Sequence, residues 1–267
     1  MSTSLARRTA LRLFAIACPA CAVQAATPSA SAPHATPHWG YAGAEGPEHW
    51  GSMAPDYRVC SLGQQQTPVD LVEAVRAAPA GSPAGPLGAV SPEWREIGGR
   101  ILNNGHTIQV NCDPGNATHI AGARYDLLQF HFHHPAEHLL EGTRHDLECH
   151  FVHRAASGAL AVLGVFIRPG AANAELEKVF RAMPAAAGPE RPLGASLVPA
   201  ALLPGQRGYF RYHGSLTTPP CSEGVTWTMY RTPIEASAEQ IRRFAVLFAN
   251  NARPVQPLHR RFLIETN

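Results

Sequence analysis

The stretch Gln129-Phe130-His131-Phe132-His133-His134, QFHFHH, sets three histidines and two phenylalanines in six residues. An extended chain turns successive side chains to opposite faces, so His131 and His133 point one way with Gln129 behind them. Phe130 and Phe132 point the other way, where a core would take them. The two same-face imidazoles stand about 6–7 Å apart at the backbone, from a rise of about 3.3 Å per residue. That spacing lets both rings converge on one metal ion. It also suits a pair of hydrogen-bonded core histidines, and these six residues do not choose between the two.

The next strand pattern, Glu148-Cys149-His150-Phe151-Val152-His153, narrows the choice. His150 shares a face with Glu148 and Val152, while Cys149, Phe151 and His153 face the other side. If the two strands are neighbours, His150 completes a set of three. Three neutral imidazoles with one position left open is the donor set of catalytic zinc. No CxxC pair lies beyond the N-terminal segment and no HExxH occurs, which excludes thiolate-rich structural zinc and a helical zinc peptidase motif. Gln129 and Glu148 flank the ligand positions on the same faces, where each can accept a ring N–H and fix its tautomer. A buried Glu148 without such a partner would be costly.

Further along the chain, strand signals dominate: 101–111, 127–134, 147–153, 160–167 and 224–230. Two segments read as helices. Leu176, Val179, Phe180 and Met183 fall at helical spacing, and Ser237 with Gln240 forms a capping box ahead of Ile241, Phe244, Ala245 and Phe248. So few helices among so many strands argue against alternating βαβ units. The expected fold is mostly β (α+β): a single domain with a large central, mostly antiparallel twisted sheet and short helices packed outside. The Pro- and Gly-rich stretches 77–88 and 184–192 are short and read as surface loops.

The N-terminus has the pattern of an export signal: Arg7, Arg8 and Arg12, an apolar stretch from Leu11 to Val23, then Val23-Gln24-Ala25 as a cleavage site. The expected organisation is a signal peptide over 1–25, a flexible linker over 26–37 and one domain over 38–267. Arg7-Arg8 leaves a twin-arginine route open, and Ala15-Ile16-Ala17-Cys18 a lipoprotein-like one. No apolar run is long enough for a transmembrane helix, so no stable membrane insertion is expected. The chain carries 22 basic and 20 acidic residues, which gives no reason to expect nucleic acid as a partner. Its 14 histidines point to metal or proton chemistry. Export to the periplasm or beyond the cell implies an oxidising compartment for Cys60, Cys112, Cys149 and Cys221, whose connectivity the sequence leaves open. A homodimer is one state the sequence leaves open.

The chain resembles an α-class carbonic anhydrase of the bacterial, exported type over nearly its whole length. The matching stretches are HWGY (38–41), PEHW (47–50), QQTPVDL (65–71), NNGHTIQV (103–110), QFHFH (129–133) and AEH (136–138). They continue with ECHFVH (148–153), AVLGVF (161–166), SLTTPPC (215–221), VTW (225–227) and RPVQPL (253–258). The resemblance implies Zn²⁺ on His131, His133 and His150, with Gln129 and Glu148 as their partners. It implies that Thr217 orients the attacking hydroxide and donates to Glu137, with Thr218 on the same rim. Val152, Val162, Leu216 and Trp227 match an apolar carbon dioxide pocket, and His106 matches the proton shuttle, with Asn104 and Gln109 beside it.

The resemblance also implies a disulfide between Cys60 and Cys221 and cis peptides at Pro220 and Pro68. Cys112 and Cys149 then read as buried free thiols. His119, His134, His138, His145, His153, His213 and His259 take a structural reading. The implied activity is reversible hydration of carbon dioxide to bicarbonate and a proton. Relatives on this scaffold that only bind ligands lack one or more of the zinc histidines, whereas all three positions are filled here.

Overall fold

Alternating strands that bury both faces need covering layers on each side, and this chain supplies them unequally. The computed structural model describes residues 37–72, 74–76 and 89–266. The signal-peptide reading over 1–25, the linker over 26–36 and the loop over 77–88 lie outside the described residues. Within them, a twelve-stranded sheet carries the molecule. Its order runs Arg191–Pro192, Arg100–Asn103, Ile108–Asn111, Ala123–His133, Leu147–Arg154, Leu160–Pro169, Glu223–Ala236, Tyr209–Ser215, Ile264–Thr266, Val75–Arg76. Val90–Glu93 and Ala117–Ile120 form a side branch on the Ala123–His133 strand. Leu160–Pro169 with Glu223–Ala236, and Ile264–Thr266 with Val75–Arg76, pair in parallel; the other ladders of this sheet are antiparallel.

On one face, Phe130, Phe132, Phe151, Leu163 and Val165 form the main core beneath two helices, Ala174–Arg181 and Ala238–Leu247. The Ser237–Gln240 capping box forms on both sides, as its spacing predicts, and Asn173 caps the other helix by accepting from two backbone N–H groups. On the opposite face a smaller apolar cluster of Val162, Phe210, Tyr212, Val225 and Trp227 leaves room for the histidines. A third cluster, Trp50, Tyr57 and the Cys60–Cys221 disulfide, sits beside it.

Three expectations are corrected. The 101–111 segment is not one strand but a hairpin, Arg100–Asn103 and Ile108–Asn111, because Asn103 and Asn104 turn their side-chain oxygens onto the N–H groups of Gly105, His106 and Thr107. Gly105 has φ +90°, a conformation its lack of a Cβ permits. Two further short helices, Trp50–Met53 and Val59–Leu62, escaped the periodicity reading since each has four residues, barely one turn. In the 184–192 loop, Arg191–Pro192 pairs with Ile101 and Arg100 as an edge strand. Cis peptides precede Pro68 and Pro220 as the resemblance implies, and also Pro135. Cys112 and Cys149 are free, Cys149 buried and Cys112 half-buried, and burial pushes the Cys112 thiol up to about 12.

Candidate active site

The register of three strands brings the predicted histidines together. Gln109 lies opposite His131, and His131 opposite His150. His133 follows two residues after His131 on the same face. Ring centroids are 5.1 Å apart for His131 and His133, 5.2 Å for His131 and His150, and 4.6 Å for His133 and His150. One ligand nitrogen from each ring lies within 4.8 Å of the others. Gly164 sits opposite His150, and a Cβ there would overlap the Met229 sulfur at 2.1 Å, so any other residue would require the Met229 side chain to move.

Each ring is held by its second nitrogen. His131 Nδ1 donates to Gln129 Oε1 at 2.9 Å, His133 Nδ1 to the Asn251 carbonyl at 2.8 Å, and His150 Nε2 to Glu148 Oε1 at 2.5 Å. The remaining nitrogens, Nε2 of His131 and His133 and Nδ1 of His150, are the ones left to face a shared ligand. Burial, then the neighbouring imidazoles, push His131 well below the ordinary histidine range. Burial lowers His133 as well, against the opposing pull of Glu137. A neutral imidazole is the form that ligates metal.

His138, Glu148 and His150 form a second cluster of potential donors, but its atoms are spent on one another. Glu148 Oε1 also takes His138 Nδ1 at 2.6 Å, and Oε2 takes the His138 backbone N–H at 2.9 Å. Burial opposes ionisation of Glu148, yet His138 and His150 outweigh it and hold the carboxyl well below the usual range. His138 is therefore not a bystander: it anchors the carboxylate that orients His150, and Tyr212 Oη in turn stands 2.6 Å from His138 Nε2. The structural reading of His138 stands, with an orienting task added to it. Sequence parity could not find this link, since His138 lies on a loop outside either strand.

The three imidazoles fit a zinc ion. His133 Nε2 is buried without a hydrogen-bond partner, as is Glu137 Oε2, 3.5 Å away and 4.0 Å from His150 Nδ1. A divalent cation would satisfy the orphaned nitrogen, which otherwise costs the desolvation of a buried polar atom.

The cluster opens into a cavity of about 250 Å³. Val152, Val162, Leu216 and Trp227 supply its apolar lining and belong to the smaller sheet-face cluster. The hairpin contributes Asn104, His106, Thr107 and Gln109 as polar lining, and Thr217 and Thr218 line it as well. His106 is half-buried and stacks on Trp39, with centroids 3.7 Å apart and planes at 7°. Burial, and secondarily His38, lower its pKa. Trp39 and Tyr41 line the cavity too, an involvement that only their place in HWGY hinted at.

One implied contact is absent. Thr217 makes no hydrogen bond to Glu137: Glu137 Oε1 accepts from the Arg253 backbone N–H at 2.9 Å, and Oε2 turns toward His133 and His150. Asn251 and Arg253, which hold His133 and Glu137 through backbone groups, were invisible to a reading of side-chain types.

A mostly antiparallel sheet carries three outer-partnered histidines under a part-apolar cavity, an arrangement compatible with a metal ion. The sequence profile of eukaryotic-type carbonic anhydrase matches residues 45–267. A carbonic anhydrase of Nostoc sp. is 42% identical over 267 residues, 99% of each chain, and one of Pectobacterium carotovorum is 41% identical, covering 85% of this chain and 90% of its own. The solved α-carbonic anhydrase of Thermovibrio ammonificans, in complex with the inhibitor sulfanilamide, superposes with a TM-score of 0.80 at 45% identity, covering 85% of this chain and 98% of that one. The chain belongs to the eukaryotic-type, α-class carbonic anhydrase family, a family of enzymes.

Proposed function

We propose that this enzyme catalyses the zinc-dependent, reversible hydration of carbon dioxide to bicarbonate and a proton, with His106 as proton shuttle, after export to the periplasm or the cell exterior. The observation that carries it is the convergence of three outwardly hydrogen-bonded imidazoles, with their free nitrogens toward one another, beneath an apolar-lined cavity. His131, His133 and His150 would hold the zinc. Held there, a zinc ion would supply a nucleophile at neutral pH by lowering the pKa of water to about 7, the figure of carbonic anhydrase itself.

The chain's own residues do the rest. Gln129, the Asn251 carbonyl and Glu148 fix the ring tautomers. Val152, Val162, Leu216 and Trp227 receive a small, uncharged substrate by excluding water and need donate no hydrogen bond to it. Thr217 and Thr218 offer hydroxyls on the cavity lining.

The product proton must then leave a site of pKa near 7. Release to bulk water is limited to about 10³ per second, from a dissociation constant of about 10⁻⁷ M and a recombination rate of about 10¹⁰ M⁻¹s⁻¹. Faster turnover needs a nearby acceptor, and an imidazole titrates in the right range. His106 on the cavity lining supports that role at its ring nitrogens. Export is supported by the Cys60–Cys221 disulfide. No helix among the described residues is long and apolar enough to cross a membrane.

The test is a carbon dioxide hydration assay with metal analysis on the mature protein. One zinc per chain is expected, lost on replacing His131, His133 or His150 by Ala. His106→Ala is expected to lower kcat in dilute non-imidazole buffer far more than kcat/KM, with imidazole restoring it. Zinc-free protein of full activity would refute the metal; equal rates for wild type and His106→Ala would refute the shuttle.

A further inference from the structure

Asn251 lies just past the Ala238–Leu247 helix, with 1% of its surface exposed. Its carboxamide is fully used. Oδ1 accepts from the His134 backbone N–H at 2.7 Å, and Nδ2 donates to the Phe132 carbonyl at 3.0 Å and the His106 carbonyl at 2.9 Å. One N–H and two carbonyls as partners admit only this orientation of the amide. The backbone of the same residue accepts from the His133 ring and donates to the His134 carbonyl at 2.9 Å. One buried side chain thus joins the end of the histidine strand to the turn that bears His106.

The turn is gripped from both sides. Within it, Asn104 Oδ1 takes the N–H groups of His106 and Thr107, each at 2.9 Å. Across it, Asn251 takes the His106 carbonyl, so both backbone polar groups of His106 are held. Among the described residues the imidazole has no hydrogen-bond partner, and it rests on Trp39. Proton transfer through intervening water depends steeply on geometry, so a shuttle must stand at a constant distance from the site it serves.

We infer that the Asn251 carboxamide is a positioning residue for proton transfer, tying the His106 backbone to the His133 end of the site so that both move as one body. This rests on the reading of His106 as the shuttle. A neutral amide is required for it. A carboxylate at this position would face two carbonyl oxygens, and an alanine would remove the side-chain partner of the His134 N–H and of the His106 carbonyl, while the Phe132 carbonyl would keep Thr107 Oγ1.

The test uses the mature, zinc-loaded protein with Asn251→Ala and Asn251→Ser. In dilute non-imidazole buffer, kcat is expected to fall roughly tenfold, the lower end of what losing an orienting partner costs at a metal site. The fall in kcat/KM should be smaller, and imidazole should restore kcat. Added to His106→Ala, Asn251→Ala should lower kcat no further, because the tether acts through that ring. Multiplying losses, or parallel loss of kcat and kcat/KM without rescue, would reduce Asn251 to a structural brace and overturn the proposal.

Failure of the shuttle reading shows separately, as His106→Ala that keeps full kcat. The tether itself is read in wild-type protein by NMR, where the His106 backbone N–H should have an order parameter of about 0.85; a value below about 0.6 overturns the inference whether or not the variants fold.

Discussion

His138 grips Glu148 at both carboxylate oxygens, by its backbone N–H at 2.9 Å and its ring Nδ1 at 2.6 Å. Glu148 is fully buried, and the same Oε1 takes the His150 ring. The carboxylate is therefore held by His138 as well as by the His150 ring, whereas Gln129, which holds His131, is only partly buried. Glu148→Ala should weaken zinc retention by roughly 10–100-fold, and Gln129→Ala by less. Zinc off-rates measured with a chromogenic chelator check this. Unchanged off-rates in Glu148→Ala would show that the orientation of His150 does not depend on it.

Val162 is 2% exposed and lines a cavity of only about 250 Å³. Val162→Tyr should fill it and abolish carbon dioxide hydration while zinc stays bound, at a packing cost of about 1–3 kcal/mol. Hydration rate and metal content on one preparation decide the matter. Full activity would place the substrate elsewhere.

The Cys60–Cys221 bridge closes a sequence separation of 161 residues and ties the Val59–Leu62 helix to the segment after Thr217 and Thr218. Arg253 reinforces the junction by donating to the Cys60 carbonyl, the Thr67 carbonyl and Gln66 Oε1. Reduction should cost about 2–4 kcal/mol, a drop in Tm of roughly 5–15 °C in a chain of this size. Calorimetry with and without reductant measures it. Alkylation of both cysteines in the unreduced protein would contradict the bridge.

His153 is buried and neutral. Its Nδ1–H donates to the Phe151 carbonyl at 2.8 Å, and Trp94 donates to Thr118 Oγ1, leaving the Thr118 O–H to donate to His153 Nε2 at 3.0 Å. Burial, against two backbone carbonyls, lowers its pKa to about 4. The unfolded chain binds a proton here below about pH 6.5, the folded chain only below about 4. Stability is therefore full above the higher value and falls as pH drops through the window, by up to about 3 kcal/mol from this group. Urea unfolding at pH 7 and pH 4.5 should show a shallower pH dependence in His153→Gln than in wild type. Identical slopes would mean the imidazole is already charged in the fold.

Much of the site was legible along the chain, because strand geometry is local. A two-residue period assigns His131 and His133 to one face and Phe130 and Phe132 to the other before any partner is known. It likewise pairs Gln129 with His131 and Glu148 with His150, and those hydrogen bonds formed as parity required. The Ser237–Gln240 cap was readable for the same reason: its atoms lie within one helical turn. What local period cannot supply is register, turn chemistry inside a short apolar segment, and backbone donors or acceptors brought in from afar. The hairpin at Asn104–Thr107 depended on two asparagine side chains bonding their own turn, and His131 meets His150 only through the alignment of two strands. The Asn251 carbonyl reaches His133 across 118 residues, and the Arg253 N–H reaches Glu137 across 116. Every residue offers a backbone carbonyl and all but proline an N–H, so nothing in residue type marks the two that hold this site. Three-dimensional packing selected them, and with them the direction in which Glu137 turns its free oxygen.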